Sequence, residues 1–146
     1  MDVRAKGAIA LVTAVALGGA GFAVFERFER AGIAEAASDT CEGRITSTAS
    51  ALPFDLPLSV GEQVLRVDTQ GVTTVAFASL PGGRDDIVAR RDAVLRDLQA
   101  AGYRVTETDQ EPGYEAEAQL AGPHVGTLRV KPLCTGLLEV RYKIEQ

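Results

Sequence analysis

The chain has few of the side chains from which catalytic and metal sites are usually built. Its 146 residues include no Trp, no Asn, one His and two Cys. The two cysteines are too far apart for a CxxC redox motif or a zinc-ligand pattern. No Ser lies in the sequence context of a nucleophile elbow. The sequence therefore predicts no particular reaction, no cofactor and no metal site, and an enzyme is the less favoured class.

Basic side chains are also scarce. Lys and Arg number 15 against 20 Asp and Glu, which gives a formal net charge of -5. Binding to nucleic acid needs a basic stripe that neutralises phosphates, and the chain has none. Nucleic acid is therefore excluded as the main partner. Arg outnumbers Lys by twelve to three, and Ala and Gly are abundant, which is typical of a GC-rich, bacterial genome.

What the sequence does contain is one long apolar run near its start. Residues 7–25 are nineteen positions without a charge, close to the roughly 20 needed for a helix across the hydrocarbon core. Arg4 and Lys6 precede the run, so positive charge favours a cytoplasmic N-terminus. We therefore predict, in chain order, a cytoplasmic tail (1–6), a single transmembrane helix (7–25), an extracytoplasmic linker (26–44) and an extracytoplasmic domain (45–146).

The alternative for this segment is a signal peptide that is removed after export. Small residues at 21–23 and at 34–36 provide two candidate cleavage sites, and the protein would then be secreted. The retained anchor is favoured because the apolar run continues through Val24 and Phe25, past the first site. A lipid anchor is disfavoured because no Cys directly follows the run. A buried helix of a soluble protein is the third alternative, disfavoured because helices that are apolar all round are unusual outside membranes.

The two cysteines, Cys41 and Cys134, lie on either side of the domain. Outside the cytoplasm, an even pair in a small domain predicts one disulfide. A domain of about a hundred residues is only marginally stable, so such a link would matter. It would close a loop of about ninety residues and contribute on the order of 4 kcal/mol in the chain-entropy account. A free or intermolecular thiol is the alternative.

The sequence of the first part of the domain predicts an irregular lead-in segment followed by a hairpin. Residues 45–62 contain Pro53 and Pro57 and predict an irregular lead-in, with room for a short edge strand. Residues 64–78 alternate in polarity and predict a hairpin with a turn around Gly71. The predicted register, with all four side chains facing the core, pairs Leu65 with Phe77 and Val67 with Val75.

The rest of the domain predicts one helix and four strands. The segment 81–102 carries an apolar stripe at helical spacing and stops at Gly102. Four segments with period-two polarity follow, separated by Pro, Gly or short polar turns. The fold class is therefore α+β, a mainly antiparallel sheet in the order β-β-α-β-β-β-β with one helix packed on a face. The predicted inward side chains are Ile87, Val94, Leu95, Leu98, Tyr103, Val105, Tyr114, Ala116, Ala118, Leu120, Leu128, Val130, Leu138, Val140, Tyr142 and Ile144.

Five carboxylates lie within eleven residues, and they form the richest polar stretch of the chain. They could bind a hard cation or supply an acid and a base, but their spacing fits no calcium loop. The favoured interpretation is the solvated face of a strand, because acids alternate with alanines in this stretch. A partner or cation surface is the alternative. The five are Glu107, Asp109, Glu111, Glu115 and Glu117.

Successive side chains of a strand project to opposite faces, and this alternation predicts which charges meet on the outer face of the sheet. A hairpin between the second and third of the four strands sets Glu115 opposite Lys131 and Glu117 opposite Arg129. In the next hairpin, pairing Val130 with Val140 sets acid beside base at one position and base beside base at the next. These neighbours are Lys131 with Glu139 and Arg129 with Arg141.

His124, the only histidine, lies in a turn and is the natural candidate for a general base. No Asp or Glu is near it in sequence, so an ordinary loop residue is the favoured interpretation. The sequence thus predicts a membrane-anchored extracytoplasmic binding or accessory module with a possible protein partner. The alternative is an exported enzyme, a hydrolase that uses His124 with the carboxylates of residues 107–117.

Overall fold

Six strands form one antiparallel sheet in the computed structural model, which describes residues 40–146. The strands lie side by side in the order β1-β2-β6-β5-β4-β3. The α+β class and the predicted element order are confirmed for the domain. The elements are β1 (Gln63–Gln70), β2 (Thr73–Pro81), α1 (Ile87–Ala100), β3 (Arg104–Glu111), β4 (Glu115–Ala121), β5 (Val125–Cys134) and β6 (Leu137–Glu145).

The predicted cytoplasmic tail, the predicted transmembrane helix and most of the predicted linker lie outside the described residues. Among residues 40–146, no helix has the length and apolar character needed to cross a bilayer. The anchor, its orientation and the domain boundaries therefore stay predictions.

Alternation along the strands divides the sheet into two faces. On one side, here called the core face, the apolar side chains are buried beneath α1 and the lead-in. The other side, here called the open face, carries most of the charged side chains of the strands. Helix α1 packs over β3, β4 and β5, while Leu52 and Leu56 of the lead-in join the same core. From α1 onward, all the predicted inward residues are buried on the core face, except that Val105 and Tyr114 are half-buried.

Helix α1 lies within the predicted segment 81–102, from Ile87 to Ala100. A short 3-10 turn, Arg84–Asp86, leads into it, and the Asp86 carboxylate accepts the backbone N–H of Gly83 at 2.8 Å. This contact satisfies one of the N–H groups that a helix start leaves unpaired. After α1, Gly102 has a φ of 94°, a conformation that favours glycine and turns the chain toward β3.

The predicted register of the first hairpin is wrong by one residue. Phe77 pairs with Arg66 rather than with Leu65, because a bulge between Val64 and Arg66 inserts one extra residue into β1. The turn also has two residues rather than three, although Gly71 does have a positive φ of 60°. Along β2 the alternation continues without a bulge and places Phe77 and Val75 on the open side. The buried alanines Ala76 and Ala78 occupy the core face of β2.

The lead-in is joined to the sheet at two places, the end of β5 and the edge strand β1. Cys41 forms the predicted disulfide with Cys134 at the end of β5, with the two Cα atoms 5.2 Å apart. Farther along, the Thr48 N–H donates to the carbonyl of Leu65 on edge strand β1 at 2.6 Å. The remainder is irregular, as predicted, with one 3-10 turn at Pro53–Asp55 and no strand assigned before β1 within the described residues.

We expect the disulfide to be a major contributor to stability. Its cysteines are 93 residues apart, so replacing both by Ser should lower the free energy of unfolding by up to about 4 kcal/mol, because the unfolded chain regains the entropy of an open loop. Thermal melts of the two proteins measure this loss. In the native protein, Cys41 and Cys134 should resist alkylation until a reductant is added. Rapid alkylation of both thiols without reductant would contradict the link.

Candidate functional site

The open face presents two central rows of side chains that run across all six strands. Each row follows from the pairing of neighbouring strands, because residues that pair directly project to the same side of a sheet. The first row, from β1 to β3, is Arg66, Phe77, Arg141, Arg129, Glu117 and Asp109. The second row is Asp68, Val75, Lys143, Thr127, Gln119 and Glu107.

Arg129 is the centre of the ion pairs on this face. Its Nη1 lies 3.5 Å from a Glu117 oxygen and 3.6 Å from a Glu115 oxygen. The predicted placement of Glu117 opposite Arg129 is confirmed, and so is Arg141 beside Arg129. Because Arg129 has a like charge on one side, both acids on its other side help to neutralise it.

Lys131 pairs with Glu139, as the register predicts, at 3.4 Å. Glu115, which was expected opposite Lys131, makes its ion pair with Arg129 instead. Lys131 already has a carboxylate on its other side, whereas Arg129 has the second cation there. Glu115 therefore pairs with Arg129, which has a second cation beside it, rather than with Lys131.

Two cations of the central rows have no carboxylate partner among the described residues. Arg141 and Lys143 lie two positions apart on β6, with Phe77 and Val75 beside them on β2. Together with neighbouring residues, these four side chains line an open hollow of about 500 Å³. Asp68 also lines the hollow, and its carboxylate pairs at 3.3 Å with Arg66, whose guanidinium covers the Phe77 ring at 4.0 Å. Among the described residues, the two β6 cations are therefore the charges of the hollow without an ion pair.

The acidic stretch is brought together on the opposite side of the same face. Glu107, Asp109 and Glu111 lie along edge strand β3, exposed and without an ion pair in the part of the chain that the structure describes. The Asp109 carboxylate accepts only a local backbone N–H, that of Gln110, at 2.8 Å. With Glu117 of β4, two of these acids line a hollow of about 130 Å³. Within residues 40–146, no group of carboxylates, His and Cys has an arrangement that could hold a metal ion.

His124 is not joined to these acids. Its ring lies 4.7 Å from the Phe54 ring, and Phe54 packs against the core. No hydrogen bond or ion pair links His124 to a carboxylate within the described part of the chain. Glu115 and Glu117 project from the open face instead. These contacts provide no acid and base pair for the hydrolase alternative.

A buried polar network lies on the core face, and sequence reasoning missed it. The Tyr142 hydroxyl donates to Glu62 Oε1 at 2.6 Å, and the Ser59 N–H donates to Glu62 Oε2 at 2.8 Å. The Ser59 hydroxyl donates in turn to Asp97 of α1. The only signal was that a Tyr at an inward position needs a partner for its hydroxyl. The sequence does not say which distant residue supplies it.

Burial governs the acid–base behaviour of this network. Loss of hydration raises the pKa of Glu62 above its ordinary value of 4.5, and the nearby charge of Asp97 raises it further, against the two hydrogen bonds that lower it. Burial first, and then the charge of Glu62, raise the pKa of Tyr142 well above 10.0. Tyr142 therefore stays a neutral donor, and Glu62 holds its proton to a higher pH than an exposed Glu does.

Arg91 is a second residue that the helical pattern did not single out. It lies on the buried stripe of α1 with only 5% of its surface exposed. Its Nη1 donates to the backbone carbonyls of Asp109 at 3.0 Å and Glu117 at 3.4 Å, and its guanidinium pairs with Asp92 at 2.8 Å. One buried cation thus holds β3 and β4 from behind, directly under the acidic part of the open face.

Glu62 should make the stability of the domain depend on pH. Because the pKa of Glu62 is raised in the folded state, protonated Glu62 stabilises the fold. This contribution is complete below about pH 4.5 and is lost as the pH rises through the folded pKa. Replacing Glu62 by Gln removes this titration at the cost of one hydrogen bond, about 1 kcal/mol. Chemical denaturation between about pH 4 and pH 8 should therefore give a flatter profile for the variant. The same change at exposed Glu42 is the control.

If the wild type and the Glu62→Gln variant show parallel profiles while Glu42→Gln also leaves the profile unchanged, burial does not raise the pKa of Glu62. Those results would contradict the network as described.

Glu115 and Glu117 should contribute little stability and hold no calcium. Each pairs with Arg129 at a partly exposed site, where an ion pair is worth about 0.2 to 1 kcal/mol. Replacing both by Gln should therefore lower the free energy of unfolding by no more than about 2 kcal/mol. Adding calcium should leave both melting temperatures unchanged. A calcium-dependent stabilisation that the double variant loses would show that the acids form a cation site.

Comparison of the chain with models of protein families, with curated proteins and with solved structures finds no match. No relative therefore supplies a ligand, a reaction or a partner for the open face. The two rows of side chains and their charges are what point to its function.

Proposed function

We propose that the protein is a membrane-anchored extracytoplasmic binding or accessory module that docks a partner on the open face of its sheet. The observation that carries the proposal is the unequal covering of the two faces. One face is covered by α1 and the lead-in, whereas the other displays charges that find no partner among the described residues. Uncompensated charge on a flat sheet face favours recognition of a complementary surface.

The disulfide supports an extracytoplasmic location. Links of this kind persist in oxidising compartments and are rare in the cytosol. Cys41 and Cys134 form one here, and no cysteine in the chain is left for other chemistry. Together with the uncharged run at 7–25, the link is consistent with export of the domain.

The position of the disulfide also indicates how the module would be presented. Cys41 is the second described residue, and the disulfide holds it at the end of β5, next to the turn into β6. Whatever precedes residue 40 therefore joins the domain at this end of the sheet. The proposed anchor would therefore connect to the domain at this end.

Contacts around His124 favour this proposal over the hydrolase. Its neighbour is the Phe54 ring, whereas the acids of residues 107–117 project from the other side of the sheet or pair with Arg129. A binding surface needs no acid and base in contact, so the proposal agrees with the observed geometry.

The test of the proposal is the location of the full-length protein. In an expressing bacterium, the protein should stay in membranes through high-salt and carbonate washes, because about 20 apolar residues span the bilayer. Protease added outside spheroplasts should digest the domain. Release of a shortened protein that begins near residue 24 or 37 would favour the signal peptide. Protection of the domain from external protease would contradict export.

A further inference from the structure

We propose that the partner of the open face is a second copy of this chain, packed face to face about a two-fold axis that runs parallel to the strands between β4 and β5. The inference rests on the proposed function and names the partner that it leaves open. It is drawn from the charges of the two central rows, from their register and from the end of the sheet at which the chain enters.

The charges of the central rows are self-complementary. Arg66 pairs with Asp68 at 3.3 Å, and Arg129 is occupied by its two glutamates. Among the described residues, each row then has one cation and one carboxylate that form no ion pair. The first row has Arg141 and Asp109, and the second has Lys143 and Glu107. The cations are all on β6, and the carboxylates are all on β3.

A two-fold axis between β4 and β5 matches these groups. Rotation about it places β6 of one copy over β3 of the other and β5 over β4, while each row keeps its height along the strands. Arg141 then faces Asp109 of the second copy, and Lys143 faces Glu107 of the second copy. Because the contact is isologous, every such pair occurs twice. Two sheets packed face to face in this way keep their strands within about 30° of parallel.

The hollows on the face support the same arrangement. The basic hollow, which Arg141 and Lys143 line, measures about 500 Å³, and the acidic hollow, which Glu107 and Asp109 line, about 130 Å³. They lie on the same side of the sheet, three strands apart between β6 and β3. In the proposed dimer the β6 side of the basic hollow lies over the acidic hollow of the other copy, while its β1 and β2 side lies outside the four overlapping strands.

The size of the contact indicates a modest affinity. Four strands overlap, about 19 Å across at roughly 4.8 Å per strand, over strands about 25 Å long. Each copy therefore buries on the order of 500 Å², or about 1,000 Å² in total, the low end for a specific interface. Anchoring both copies in one membrane raises their effective concentration, so a weak contact suffices.

The direction of the axis agrees with such anchoring. A rotation about an axis parallel to the strands leaves the two Cys41–Cys134 ends on the same side of the dimer. The two preceding segments then enter one membrane. An axis perpendicular to the strands would place these ends on opposite sides, and it would set β6 of one copy over β6 of the other rather than over β3.

The experiment is a charge swap in the full-length protein, extracted from membranes in mild detergent at low salt. Two copies with different affinity tags are co-expressed, and recovery of the second tag with the first measures association. Changing Arg141→Glu with Lys143→Glu, in both copies, should reduce recovery at least about tenfold, because like charges then meet. The change Glu107→Lys with Asp109→Lys should do the same.

Combining one copy of each swapped variant should restore association, since both contacts then join opposite charges. The control is Arg96→Glu on exposed α1, which should leave recovery unchanged. An intact disulfide and an unchanged melting temperature show that each variant is folded.

Folded variants that associate as the wild type does would overturn the dimer, and so would failure of the mixed pair to recover. Wild-type protein that stays in membranes, faces outward and does not associate with itself would also overturn it, while leaving the proposed function standing. Protein that is not retained or not exported fails the proposed function first, and the location test detects that separately.

Discussion

Period-two alternation along β4, β5 and β6 is the constraint on which the rest of the domain depends. The pairs Ala116 with Val130 and Val130 with Val140 place three small or branched apolar side chains in one buried row. A slip of one residue in either hairpin would turn Arg129 into the core and an apolar side chain to the surface. The same register that buries the core therefore decides the position of each charge on the open face.

Most of what covers the sheet lies on its core face, although Arg44 and Thr46 of the lead-in line a hollow at one end of the open face. Helix α1 and the apolar part of the lead-in pack on the core face, and Arg91 draws the backbone of β3 and β4 toward α1 through their carbonyls. At the edge of the sheet opposite β3, the lead-in reaches strand β1. The disulfide holds the start of the lead-in at the end of β5. Edge strand β1 and one face are thus occupied, and the charged face is what the domain presents.

The elements that sequence reasoning predicted well are those whose signals are local. In β4 to β6 the alternation is unbroken over most of each strand and the turns are short, so the alternation alone predicts both the inward residues and the pairing of Glu117 with Arg129. The disulfide followed in the same way from the number of cysteines and the predicted compartment.

The features that sequence reasoning missed depend on distant contacts. The bulge at Leu65 leaves no mark in the polarity pattern, yet it leaves Leu65 out of the ladder and pairs Phe77 with Arg66. Arg91 interrupts an apolar stripe, and only the carbonyls of β3 and β4 explain why a cation is buried there. Glu62 meets Tyr142 eighty residues away. Neither spacing nor composition indicates such a pair.

The central claim is that the open face is covered by a partner in the membrane, and the reactivity of one lysine tests it most directly. The chain has three lysines, and only Lys143 lies in the central rows of the open face. The rate of amine labelling at Lys143 should be measured by mass spectrometry in intact membranes and again after extraction at high salt, which screens contacts between charges. The account predicts slow labelling of Lys143 in membranes and fast labelling after extraction. Equal rates at Lys143 in both conditions would contradict it.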